Sequence, residues 1–158
     1  MNTPWGVSQQ VETIARGIHW VSTAGHGGLM VSAGVAKKIL SEQAVKVAHP
    51  GKAGGYVCFE EDCSYAVAFF EHPEWKRHLD KLSLAQWENS ILPAPCLVLD
   101  GDSYDSRMAK AKAQAVPRLI AEIAKSDDQI RAEMRAIVES WNPEYFGDAP
   151  ARPIQASI

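Results

Sequence analysis

The sequence predicts an α+β fold: a small antiparallel sheet from the N-terminal half, helices on one face of it, and a helical C-terminal half. Three observations lead there. Short aromatic and β-branched runs, Ile18–Ser22, Leu29–Val31 and Tyr56–Phe59, are bounded by glycine-bearing segments, as strands are. Ile130, Met134, Ile137, Val138 and Trp141 fall on one continuous helical stripe. Ser83–Gln86 and Ser126–Gln129 both carry the spacing of a capping box at a helix start.

Taken in order, Val11 to Ile14 alternates and Arg16-Gly17 marks a turn, so a first strand leads into Ile18–Ser22. Gly25 through Gly28 supply a tight connection, and Leu29–Val31 returns as the second arm of a hairpin whose loop carries His26. Ser32 is placed to cap a short helix through Leu40, with Val35, Ile39 and Leu40 turned inward. Residues 46–55, holding Pro50, Gly51, Gly54 and Gly55, read as a loop. Tyr56–Phe59 runs into Glu60-Glu61-Asp62, where Asp62 is expected to cap a helix bearing Tyr65, Val67, Phe69 and Phe70.

His72-Pro73 interrupts that helix, and Pro73 suits the first turn of another short one with Trp75 and Leu79. Ser83 opens a further segment containing Trp87, ended by Pro93 and Pro95. Cys96–Leu99 is a short strand closed by Asp100-Gly101-Asp102. Met108–Lys125 is an alanine-rich helix that Pro117 must bend or restart. The final helix stops at Asn142-Pro143. The expectation is a single domain over residues 1–146, its helical rear spanning 83–146, with a mobile tail over 147–158.

With 158 residues, 46% of them hydrophobic, the chain can bury a core without staples. No apolar run approaches the ~20 residues of a membrane span. Met1–Trp5 lacks the basic and apolar parts of a signal peptide, which points to the cytoplasm. A net charge of -3 and a pI near 5.9 argue against nonspecific nucleic-acid binding. Cys58, Cys63 and Cys96 form no paired zinc-ligand pattern and read as reduced, partly buried thiols. Nothing in the sequence specifies an oligomeric state.

The chemistry-bearing candidates lie in two segments. Ser22-Thr23-Ala24-Gly25-His26-Gly27-Gly28 presents an imidazole among small residues, where backbone or ligand can approach closely. Imidazole is suited to proton transfer near neutral pH and to metal ligation. Ser22, Thr23, Gly25, Gly27 and Gly28 are the candidate binding residues, with the Gly-Gly backbone a potential anion cradle. Glu60, Glu61 and Asp62 supply carboxylates, so His26 with these three makes a candidate acid–base or metal site. Each segment also has a purely structural explanation. His26 can bond across its hairpin, and the acidic residues can cap a helix and favour its dipole.

Other motifs are weaker. Asp100-Gly101-Asp102-Ser103 is similar to the nucleophile motif of haloacid-dehalogenase-type phosphatases, but no parallel sheet follows it, and a turn with a helix cap accounts for it. No G-x-S-x-G elbow surrounds Ser22 or Ser64. Cys63, near a helix start, is expected to have a lowered pKa and is a possible partner for His26.

Thr3-Pro4-Trp5-Gly6, Gln9, Gly17-Ile18, the heptapeptide around His26 and Glu60-Glu61-Asp62-Cys63 together resemble a family of uncharacterised domains in phages and mobile elements. The resemblance covers residues 3–72 and departs at Phe59, where the family often has tyrosine. It implies a setting and a set of positions rather than a reaction. In that setting the expected function is an accessory protein that binds a host or phage macromolecule, of the anti-defence kind. Such a role needs only a complementary surface of about 800 Å² per partner. The competing expectation is a small hydrolase or metal-dependent enzyme using His26 with Glu60, Glu61 and Asp62. A third is a small-molecule or nucleotide binder at the glycine-rich turn. No cofactor is called for, beyond a divalent metal that these donors could accept.

Overall fold

The computed structural model describes residues 1–89 and 104–147. The described chain divides into two compact units, one of Met1–Trp75 with Asp127 onward and one of Lys76–Ser126. The first unit holds the α+β fold. Its strands are β1 (Asn2–Thr3), β2 (Gly6–Val7), β3 (Gln10–Ala15), β4 (Ile18–Ser22), β5 (Gly27–Ser32), β6 (His49–Ala53) and β7 (Tyr56–Glu60). Strands β1 and β2 form a small hairpin, and the rest form a five-stranded antiparallel sheet in the order β3-β4-β5-β7-β6. Helices α1 (Ala33–Ile39) and α2 (Glu42–Val47) link β5 to β6, and α3 (Tyr65–Glu71) follows β7. Helix α4 (Pro73–Asn89) starts in this unit and runs into the second, which also contains α5 (Tyr104–Ile123). Helix α6 (Asp127–Trp141) and a 3-10 turn (Pro143–Phe146) complete the first unit.

Strand alternation sorts the sheet into two faces. Trp20, Leu29 and Phe59 lie opposite one another in register, and Trp20 stacks on Phe69 of α3 at 5.9 Å. That face carries the helices. Helix α6 packs on α3 with Ile130, Met134 and Val138 buried, so the predicted apolar stripe is the one used. The other face presents Val21, Met30 and Cys58, covered by Trp5 and Tyr56. Trp5 comes from the β1–β2 connection, so the N-terminal hairpin shields what would be bare sheet. In the second unit, Lys76 of α4 bonds Asp80 and Glu122, while Lys112 of α5 donates to the Glu88 carbonyl. Among the described residues no helix is long and apolar enough to cross a membrane.

Several local expectations are corrected. Residues 46–55 are not a loop throughout, because α2 ends at Val47 and β6 occupies His49–Ala53. Strand β6 is a sheet edge, and Pro50 falls where its pairing with β7 is irregular, between His49 and Ala53, positions that tolerate proline. Asp62 does not cap α3; Ser64 holds that position. Ser32 precedes α1 without a side-chain cap bond, and Ile39 is exposed. Ser83 lies inside α4 rather than at a helix start. Pro117 sits inside a continuous α5. Pro93, Pro95, the strand Cys96–Leu99, the Asp100–Ser103 motif and the tail from residue 148 lie outside the described residues.

Candidate functional site

Strand pairing assembles the two candidate segments. Strand β5 lies between β4 and β7, and Gly28 stands opposite Glu60. The β4–β5 turn and the carboxyl end of β7 therefore emerge side by side, which places His26 next to an acidic cluster 34 positions on. His26 Nδ1 is 3.5 Å from Glu60 Oε1, with the His26 side chain 61% exposed and that of Glu60 19%. His26, Glu60 and Asp62 each offer a donor atom, and these three atoms lie within 4.8 Å of one another. Ligands about 2.1 Å from a shared ion stand roughly 3–4.2 Å apart, so a small inward movement would complete a coordination set.

The turn is tightly tied. The Thr23 hydroxyl donates to the His26 carbonyl at 2.6 Å, with the Trp5 carbonyl a second acceptor at 3.3 Å. The His26 amide returns a bond to Thr23 Oγ1 at 3.2 Å. Ser22, at the end of β4, accepts from the Gln9 amide through its carbonyl. Gly25 has open space on its Cβ side.

Gly27 and Gly28 belong to strand β5 instead of the turn. A Cβ on Gly27 would strike the Val21 carbonyl oxygen and stand 2.8 Å from Glu61 Oε2. A Cβ on Gly28, at φ +151°, would strike the Phe59 carbonyl and crowd the Trp5 ring. These glycines serve close strand approach, and both pair with neighbouring strands. Glu61 lies over Gly27, to whose carbonyl its own amide donates at 3.1 Å. Of the four expected acid–base residues, His26, Glu60 and Asp62 form the three-donor group, and Glu61 is not part of it.

Supporting residues appear that sequence reasoning did not assign to the site. Glu60 Oε2 accepts from the Asp62 amide and the Cys63 thiol, both at 3.2 Å, which leaves Oε1 toward His26. The Glu60 amide donates to Ser64 Oγ at 2.7 Å. The expected low pKa of Cys63 is reversed: burial raises it, and Glu60 raises it further. A protonated thiol suits a donor to Glu60 better than a nucleophile. Its adjacency to Glu60-Glu61-Asp62 was the only sequence signal for that role.

No curated protein and no solved structure matches the chain. The model of a family described as "Domain of unknown function (DUF7007)" matches residues 1–157. The chain belongs to this uncharacterised DUF7007 family.

Proposed function

We propose that the chain is a small metal-dependent hydrolase whose centre is His26, Glu60 and Asp62. The observation that carries this reading is the convergence of one imidazole and two carboxylates from separate segments within 4.8 Å. A mixed nitrogen and oxygen donor set suits Zn²⁺ or Mn²⁺ better than Ca²⁺, which takes oxygen ligands alone. A divalent cation held there supplies Lewis acidity toward an ester, amide or phosphate oxygen. The chain's own groups do the positioning. Thr23 fixes the His26 backbone, the Cys63 thiol and Asp62 amide fix one oxygen of Glu60, and the exposure of His26 leaves room for substrate. The resemblance to phage and mobile-element domains supports a host-cytoplasm setting.

Titration calorimetry with Zn²⁺ and Mn²⁺ on wild type, His26→Ala and Glu60→Gln tests the reading. Wild type is expected to bind one ion, and each variant to lose at least about 100-fold in affinity, more than a lost outer-shell partner costs. EDTA-reversible hydrolysis of aryl esters or aryl phosphates should follow the same order. Absence of binding in wild type, or equal binding by all three proteins, overturns the proposal. A second reading, binding of a host or phage macromolecule in an anti-defence role, draws on one observation. β3 is an edge strand with Val11 exposed, and an open edge can accept another chain.

A further inference from the structure

A second polar cluster lies away from the candidate site, where α1, α3 and α4 meet. His72 is the C-cap of α3, and its side chain is only 13% exposed. Its Nε2 is 3.1 Å from the carbonyl oxygen of Ile39, the last residue of α1. Its Nδ1 is 2.9 Å from Glu74 Oε1 in the first turn of α4. Both partners accept hydrogen bonds. A neutral imidazole has one N–H and satisfies one of them; only the imidazolium satisfies both. The ring also stacks on Trp75, centroids 4.2 Å apart and planes at 11°, where positive charge is favoured.

The preceding residue reaches in a complementary direction. Glu71 accepts from the Ser41 amide at 3.0 Å, from the Ser41 hydroxyl, and from the Tyr145 hydroxyl at 2.9 Å. Ser41 in turn caps α2 by accepting from the Ala44 amide. Adjacent residues at the end of α3 thus hold both sides of the α1–α2 junction.

We infer that His72 is a protonation-dependent latch: as imidazolium it clamps the end of α1 to the α3–α4 junction, and as neutral imidazole it lets one side go. The charged groups acting on His72 are Glu74 and Glu71. Asp127 at the start of α6 acts on Glu74, and the Tyr145 hydroxyl bonds Glu71. Lys37 and Lys38, in the last turn of α1, are exposed. Burial by itself disfavours charge on His72. The bonds to Glu74 and the Ile39 carbonyl, with the charges of Glu74 and Glu71, outweigh it and hold the ring above the ordinary histidine range. A pKa raised on folding contributes stability fully below the unfolded value, about 6.5, and loses it as pH rises through the folded value. The latch is therefore closed in mild acid and opens toward alkaline pH.

The test is NMR of the full chain carrying ¹⁵N,¹³C-histidine, from about pH 5.5 to 8.5. Amide exchange of Leu40 and Ser41, corrected for intrinsic rates, is measured alongside. The expected result is a His72 ring protonated on both nitrogens at pH 6.5, titrating above the ordinary value. Ser41 and Leu40 should lose protection severalfold as the ring deprotonates. A single neutral tautomer at pH 6.5, or protection that stays flat through the titration, overturns the latch. His72→Gln should give low protection with no pH dependence over this range, and retention of the wild-type profile by that variant also overturns it. If His72→Gln does not fold, the wild-type titration decides alone.

Discussion

At residues 27 and 28 the chain has no room for a side chain, whereas two residues earlier it has plenty. Gly27 and Gly28 face the carbonyl oxygens of Val21 and Phe59, and Gly28 also has a positive φ. Gly25 faces nothing within 4 Å. Gly25→Ala is expected to change stability by less than about 0.5 kcal/mol. Gly27→Ala and Gly28→Ala should each cost at least about 2 kcal/mol through overpacking and strain. Denaturant melts of the three variants check this, and a Gly27→Ala protein as stable as wild type would contradict the packing argument. The same residues explain how far the site was legible. The heptapeptide marked His26 and the acidic tetrad marked its partners. Which carboxylates meet the imidazole depends on Gly28 pairing with Glu60 across strands, and sequence periodicity does not specify strand order. The close approach that demands glycine at 27 also seats Glu61 over it, outside the three-donor group.

Element boundaries were read well where local chemistry and tertiary packing agree. Ser126 to Trp141 has a start signal and a stripe, and Ile130, Met134 and Val138 are buried as that stripe requires. The Ser83 box failed because a capping box marks a start only where the preceding chain stops being helical. Between Trp75 and Asn89 there is no glycine or proline, so α4 continues through it. Helix α2 carries its own signal, a Ser41 cap before good helix formers, but it is short and runs directly into the glycine- and proline-bearing stretch 50–55, whose turn signals dominate the local pattern. The 3-10 turn at Pro143–Phe146 is secured by contacts that no local pattern discloses. Tyr145 bonds Glu71, Phe146 meets Phe70 at 5.1 Å, and the Arg135 guanidinium lies 4.4 Å over Phe146. Tyr145→Phe removes a hydroxyl donor to a carboxylate and should destabilise the first unit by about 1.5–3 kcal/mol. Burial and Glu71 push the Tyr145 phenol up in pKa, so the hydroxyl remains a donor throughout the neutral range. A thermal melt of Tyr145→Phe matching wild type would show that the turn is held by Phe146 alone.

Across the whole molecule the pH response should start on opposite sides of neutrality in the two units, with Glu122 in one and His72 in the other. In the second unit, Glu122 bonds Lys125 and Lys76, which hold its carboxyl below the ordinary range against some burial. Burial opposes charge on Lys76, but Asp80 and Glu122 outweigh it and raise its pKa. A carboxylate lowered on folding contributes stability above its unfolded value and loses it as pH falls through the folded one. For Glu122 that loss lies below the ordinary glutamate value of about 4.3. For Lys76 the loss lies at alkaline pH beyond its ordinary value, so the ion network is intact across the neutral range. The His72 contribution in the first unit runs the other way from that of Glu122, full below the ordinary histidine value of about 6.5 and declining as pH rises through its raised folded value. Hydrogen exchange across both units should find protection in α5 near Glu122 falling first on acidification. Protection at Leu40 and Ser41 should fall first on mild alkalinisation. Lys76→Met should weaken the first response without abolishing it, because Lys125 still bonds Glu122, and should leave the second in place, because the charges acting on His72 are those of Glu74 and Glu71. A common loss of protection in both units at one pH would mean that a single global transition, and not these local charge sets, governs the pH response.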